Sequence, residues 1–372
     1  MFSRSLQRFS VGVFSALRRG VFWCGDWVRA RPGLAAWLYR EAGPGSNDER
    51  YREFNGWYFA QFGEQEKMLA DRPRMDFYHA AIQRHVHPGD RVIDLGTGTG
   101  ILAAFAARRG AARVHAIDHS KILKHARRLA THNGIKNVEF ISTHSRDFAL
   151  RERVDVILHE QMGDFLFDEA MVPNVIDLRE RLLKPGGRIV PAVFEFYCEP
   201  IKVKDERRIP FIWELDVHGY NFSCLERSRP QEAPYYRHNS CDLGVVEHFL
   251  GTPAPALTLD LQTLNEADLP REIHLSRTVE NAGRLDGFVV FFRARVDDDL
   301  SLSSGPLDSG RAPHWGYRTL RVATENFAVG EVIELTLKVG EWAEPDTWRW
   351  SHSKKAAPPR PSASPIPMAT SA

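Results

Sequence analysis

The sequence predicts an α/β chain in two parts, a parallel sheet of nucleotide-binding type with crossover helices followed by an antiparallel β-barrel or sandwich. Three observations predict it. The hydrophobic pattern changes once, near Pro191. Before that residue, short apolar runs (VIDLG, VHAID, VEFIS, VDVILHE) alternate with helical stretches such as LAAFAARRG and ILKHARRLATHNG, the pattern of strands joined by crossovers. After it, apolar and polar residues alternate one by one. The clearest run is EVIELTLKV, where Ile333, Leu335, Leu337 and Val339 share one face and Glu334, Thr336 and Lys338 the other. FEFYCEP, ALTLDLQTL, EIHLSRTVE and GFVVFFRARV read the same way, and no internal repeat is visible.

Taken in order, Met1 to Arg40 carries Arg4, Arg8, Arg18, Arg19, Arg29, Arg31 and Arg40 among Phe, Val, Leu and Trp, with Asp26 as its one acid. This predicts one or two amphipathic helices, either an extension folded on its own domain or an anchor for a membrane surface or partner. Glu41 to Asp48 is a linker by its Gly, Pro and Ser content, so the basic segment and linker span 1–48. Residues 49–190 then hold the parallel sheet and its cap helices, and 191–352 the antiparallel half. Residues 353–372, rich in Pro, Ala and Ser, are expected to be disordered.

A length of 372 residues exceeds what one core usually holds, in keeping with two domains. The 49 Lys and Arg against 48 Asp and Glu leave +1, which argues against nucleic acid or an anionic membrane as a whole-chain partner. Cys24, Cys198, Cys224 and Cys241 are scattered without a CxxC pair. Neither a disulfide framework nor a metal site is expected, and a reducing cytoplasm is the expected location. No apolar run approaches the roughly 18 residues of a membrane span.

Asp94, Gly96, Gly98 and Gly100 give DxGxGxG at the carboxyl end of a predicted strand, where open parallel sheets bind ligands. Glycines let the backbone turn sharply and approach a ligand, and the helix after Gly100 is expected to offer free N–H groups. A dinucleotide motif would place its third glycine at Ile101, so a pyrophosphate is less well served. Asp118 ends the next strand and can accept both ribose hydroxyls of an adenosine. A nucleoside cofactor follows, with Thr97 inside the turn and Ser145 to Asp147, after the third strand, near the adenine edge. After the fourth strand comes LHEQMGDFLFDEAM, in which Glu160 and Glu169 form a cage suited to a planar cation. Met162, Phe165, Leu166, Phe167 and Met171 around them argue that the loop packs.

Over roughly residues 54 to 342 the chain resembles a divergent protein arginine methyltransferase. The carriers are VIDLGTGTGILAAFAARRGAARVHAID, HEQMGDFLFDEAM, FGEQEKMLADRPRMDFYHAAI (Phe62 to Ile82, like the helix that folds over the cofactor) and LSSGPLDSGRAPHWGY. The resemblance implies a Rossmann-like class I methyltransferase domain, a β-barrel, a homodimer with an arm near 210–238, S-adenosyl-L-methionine as cofactor and an arginine in a protein or peptide as acceptor. It further implies that Arg74 holds the cofactor carboxylate and that Met68 lines the methyl-transfer site. Glu160 and Glu169 would clamp the acceptor guanidinium, a His314–Asp71 pair would remove its proton, and Met162, Trp315 and Phe59 would line the acceptor pocket. The chain departs from the family pattern at Gln161, Asp164, Pro313, Asn55 and Phe59. All are expected to border the acceptor, where Asp164 would add a carboxylate favouring a smaller or more cationic guest. A methyltransferase of a small guanidine, amine or peptide natural product, and a non-catalytic scaffold of the same fold, are the alternatives.

Overall fold

The computed structural model describes residues 56–167, 169–240 and 244–356, so the basic segment, the linker and most of the expected tail lie outside the described residues. The chain divides into two compact units, residues 1–58 and 59–372, and the elements below belong to the second.

Helices α1 (Phe62–Ala70) and α2 (Arg72–His85) stand where one helix was expected from Phe62 to Ile82. The break is Asp71, whose extended backbone (φ −70°, ψ 91°) ends α1 while its side chain caps α2 by accepting the Arg74 N–H at 3.1 Å. Pro73 sits in the first turn of α2, where a missing N–H is no loss. The next elements are β1 (Arg91–Leu95), α3 (Ile101–Arg109), β2 (Arg113–Asp118), α4 (Leu123–His132), β3 (Val138–Ser142), β4 (Val154–His159), α5 (Met171–Leu182) and β5 (Leu183–Val190). The strands pair in parallel in the order β3-β2-β1-β4-β5. Val92 to Leu95 and Val156 to His159 are buried without alternation, as strands covered on both faces must be. The chain order reverses beside β1, which puts the binding crevice at the carboxyl ends of β1 and β4.

The antiparallel half runs β6 (Val193–Val203), β7 (Asp216–Val217), β8 (Tyr220–Asn221), β9 (Arg237–Ser240), β10 (Val246–Phe249), β11 (Leu257–Asp260), β12 (Glu272–Thr278), β13 (Gly283–Arg295), β14 (Ser301–Ser303), β15 (Tyr317–Phe327), β16 (Val332–Lys338) and β17 (Arg349–Lys355). A seven-stranded sheet follows the path β10-β6-β13-β15-β9, with β11 on β6 and β14 on β13, and β12-β16-β17 form a second sheet. Among the described residues no pairing closes these sheets into a ring. β17 runs through Ser353 to Lys355, residues expected in the disordered tail, because its register on β16 gives their backbone partners.

One hydrophobic core passes through both halves. Its junction is aromatic: Phe167 meets Trp342 at 4.4 Å between ring centroids, Phe165 meets Trp348 at 5.2 Å, and Phe196 of β6 lies 5.7 Å from Trp342. The loop carrying the two glutamates is therefore pinned into the antiparallel half by its own phenylalanines.

Candidate active site

The glycine turn is built as the spacing requires. Gly96, Gly98 and Gly100 have φ of 70°, 55° and 84°, the left-handed region that other residues enter at a cost. At Gly100 a Cβ would stand 2.9 Å from the Phe140 ring, so space as well as torsion demands glycine there. Asp94 is fully buried and accepts from Thr97 Oγ1 at 2.5 Å and from the Ala103 N–H at 3.0 Å, fastening the turn to α3. Burial pushes its carboxyl up to about 7, against the pull of those two hydrogen bonds. Asp118 accepts from the Gly98 N–H at 2.9 Å and the Ser120 N–H at 2.7 Å, which fixes its carboxylate at the end of β2.

Within the turn itself most main-chain donors are used inside the protein. The N–H groups of Gly96 and Thr97 go to Ile117 O, that of Gly98 to Asp118, that of Gly100 to Thr97 O, and that of Ala103 to Asp94. With these donors spent, the turn by itself is poorly made to wrap a phosphate and suits an uncharged ribose.

Arg74, 5% exposed, is the electrostatic centre. One terminal nitrogen donates to Glu160 Oε2 at 2.7 Å, the other to Met68 O at 2.9 Å, and Nε is buried with no partner. Burial pulls the guanidinium down, but Glu160, Tyr78 and Asp71 outweigh it and hold its pKa above the ordinary value. Burial likewise raises Glu160, opposed by Arg74. Glu160 thus holds a guanidinium of its own chain, so an acceptor guanidinium would be its second. Tyr78, fully buried on α2, donates to His159 O at 3.2 Å and contacts Met162 Sδ at 3.7 Å, propping the start of the loop.

Past Glu160 the loop is tightly held. Leu166 (φ 73°) and Ala170 (φ 53°) adopt left-handed backbone without being glycine, strain that packing must offset. The aromatic junction supplies that packing. Glu169, half-buried beside Ala170, sits where the chain turns into α5.

The start of β15 and the residues before it close the site from the other side. Trp315 Nε1 donates to Met162 O at 2.6 Å, the Gly316 N–H donates to Asp164 Oδ1 at 2.9 Å, and Arg318 pairs with Asp164 Oδ2. Asp164 is therefore spent on the antiparallel half, a correction to its expected role as an extra carboxylate for the acceptor. Asp71 and His314 do meet, but through the main chain. Asp71 Oδ2 accepts the His314 backbone N–H at 2.9 Å, and the ring Nδ1 is buried with no partner. Burial and Arg74 hold the imidazole down at about 4, neutral near pH 7 and a weak base for the proton expected of it.

Among the other expected residues, Met68, Met162 and Trp315 are buried, the last two bonded to each other as wall rather than open surface. Phe59 is half-buried and its carbonyl accepts from Gln65 Nε2 at 2.8 Å. Ser145 is buried and Asp147 exposed in a short turn after β3. Gln161, expected at the acceptor, instead lies against the first glycine: a Cβ on Gly96 would stand 3.7 Å from its Nε2. Sequence reasoning missed Tyr78, Gln65 and Arg318. Gln65 left no signal, whereas the unusual Asp164 was the trace of Arg318.

Residues 92–187 match the methyltransferase domain family, the class that this sheet order and glycine turn define. The chain is 32% identical over 293 residues to protein arginine N-methyltransferase PRMT10 of Oryza sativa subsp. japonica, covering 70% of this chain and 76% of that one. It is 31% identical over 279 residues to protein arginine N-methyltransferase 6 of Xenopus laevis, covering 73% and 81%. The crystal structure of Arabidopsis thaliana protein arginine methyltransferase 10, in an open conformation, superposes with a TM-score of 0.67 at 27% identity over 80% of this chain and 99% of that one. The Trypanosoma brucei PRMT1 enzyme-prozyme complex with AdoHcy shares the fold, with a TM-score of 0.68 at 23% identity over 80% of this chain and 98% of that one. The chain belongs to the protein arginine N-methyltransferase family.

Proposed function

We propose that this protein transfers a methyl group from S-adenosyl-L-methionine to a guanidinium nitrogen of arginine in a protein or peptide. The observation that carries the reading is the loop at the end of β4, which sets Glu160 against Arg74, lays Gln161 on Gly96 of the glycine turn, and carries Glu169 just ahead of α5. The pocket fits the cofactor: the glycines let the turn take its left-handed torsions, the Asp118 carboxylate is oriented, and Arg74 Nε is a buried cationic donor without a partner.

When bound, S-adenosylmethionine supplies a methyl group on a positive sulfonium. Gly96, Thr97, Gly98 and Gly100 bring the main chain close, Asp118 accepts from the ribose and Arg74 pairs with the carboxylate, while Ser145 and Asp147 border the adenine and Met68 lines the pocket. Glu160 and Glu169 orient the acceptor guanidinium and draw its positive charge away from the attacking nitrogen, a group otherwise too delocalised to be a good nucleophile. Trp315 and Met162 hold the loop in shape.

We further propose a homodimer, a barrel-like antiparallel half and a cytoplasmic location. Segment 210–238 supports the first: Phe211, Trp213 and Tyr235 stack at its base, while Tyr220 is 75% and Val217 44% exposed at its tip. Among the described residues no helix is long and apolar enough to cross a membrane. Domain limits of 49–190 and 191–352 suit the two sheet systems, with the second reaching to Lys355.

Glu169→Gln tests the function. Turnover should fall by about a hundredfold or more through loss of a charge at the acceptor, while calorimetric affinity for the cofactor product stays within about twofold. Turnover left intact in this variant would remove the clamp and with it the proposal.

A further inference from the structure

Gln161 stands where the family pattern has another residue, and its surroundings explain the exchange. It follows Glu160, the partner of Arg74, and its side chain packs on Gly96, with Nε2 and Cγ 3.7 and 3.8 Å from the position of a Cβ there. Its amide Oε1 is buried with no hydrogen-bond partner, and so is Arg74 Nε. The donors of the glycine turn and of Gln65 are spent elsewhere. The N–H groups of Gly96 and Thr97 are bonded to Ile117 O, that of Gly98 to Asp118 and that of Gly100 to Thr97 O, and Gln65 Nε2 is held by Phe59 O. A buried acceptor left unmatched is costly, and a donor from outside the protein would complete it.

An unmatched cationic donor on the residue bonded to Glu160 and an unmatched neutral acceptor on the residue that follows Glu160 are the complement of an amino-acid zwitterion. We propose that Gln161 accepts a hydrogen bond from the α-ammonium group of the methionine end of S-adenosylmethionine and so selects cofactors that carry both amino-acid charges. This rests on the cofactor reading above. A glutamine suits the place because a carboxylate there would add an anion beside Glu160, whereas an amide oxygen serves an ammonium without it.

Calorimetry on the full chain tests this with S-adenosylhomocysteine, its analogue lacking the α-amino group and its analogue lacking the carboxylate. Gln161→Leu removes the acceptor at similar size. It should weaken S-adenosylhomocysteine and the decarboxylated analogue by about tenfold, and leave the desamino analogue unchanged. Gln161→Glu should restore or exceed the wild-type preference for the α-amino group, which guards against a variant that only damages the fold. An unchanged ratio of S-adenosylhomocysteine to desamino affinity in Gln161→Leu, or a loss that follows the carboxylate instead, overturns the assignment. No heat from S-adenosylhomocysteine with the wild-type chain overturns the cofactor reading itself.

Discussion

Arg74 is the residue on which the site turns. Its guanidinium ties α2 to the loop after β4 through Glu160, and the same side chain keeps one N–H in reserve. Arg74→Lys loses the planar fork and cannot satisfy Met68 O, Glu160 and a carboxylate at once. Its affinity for S-adenosylhomocysteine is expected to drop about tenfold or more by calorimetry. Buried histidines give a second residue-scale prediction. His159 is held at about 4 by burial, its Nε2 2.8 Å from Pro191 O, and His314 also at about 4. Because folding depresses these values below the ordinary 6.5, the unfolded chain binds the extra protons between pH 4 and 6.5. Their contribution to stability is present above about 6.5 and lost as pH falls toward 4. Asp94, raised to about 7, acts with the opposite sign between its ordinary 3.8 and 7. Urea melts of wild type and His159→Gln isolate the histidine: the stability difference should widen as pH rises from 4 to 6.5 and stay level above it. A difference independent of pH contradicts this. The residues legible in the sequence were those whose type is forced by a backbone torsion or a shared charge, as at Gly98 and Asp118. Asp164 and Gln161 were misread because a motif position says where a residue sits along the loop and not which neighbour it meets across the fold.

Among the elements, the loop from Glu160 to Ala170 does most to unite the two halves. Phe165 and Phe167 reach into the aromatic cluster of Phe196, Trp342 and Trp348. Trp315 answers from the other side through its bond to Met162 O. Phe167→Ala opens a cavity at a 2% exposed site and should cost about 3 kcal/mol of unfolding free energy. Trp315→Phe keeps the ring but leaves the Met162 carbonyl without its donor, a loss of about 1–2 kcal/mol. It is expected to raise KM for the acceptor more than it changes cofactor affinity, which steady-state kinetics beside calorimetry would read. The strands of the parallel sheet were plain in the sequence, since both-faced burial writes itself as apolar runs. The break at Asp71 was not, because FGEQEKMLADRPRMDFYHAAI keeps its helical character through it and only the cap geometry shows where one helix ends and the next begins. β15 escaped for a related reason: Arg318, Arg321, Thr324 and Glu325 interrupt it, and its place is set by pairing with β13 rather than by its own pattern.

At the scale of the whole molecule, the described residues include an exposed apolar surface. Ile209, Ile212, Val217 and Tyr220 are exposed on the excursion between β6 and β9, an unusual concentration of large apolar side chains at a protein surface. If a second copy covers it, Val217→Asp with Tyr220→Asp should shift the species seen by sedimentation from dimer to monomer without lowering the melting temperature of the fold; an unchanged mass would dismiss the arm. The division into a parallel and an antiparallel half was legible from the change of pattern near Pro191. The aromatic junction between them was not, since Phe196, Trp342 and Trp348 are far apart in sequence and meet only once both sheets exist. The assembled site is expected to methylate arginine. Incubation with methyl-labelled S-adenosylmethionine and proteins of a host lysate, followed by fragment mass spectrometry, reads that reaction. The expected result is label on arginine side-chain nitrogen with wild type and about a hundredfold less, or lower still, with Glu169→Gln. Label on another residue type, on small molecules alone, or equally with both chains would contradict it.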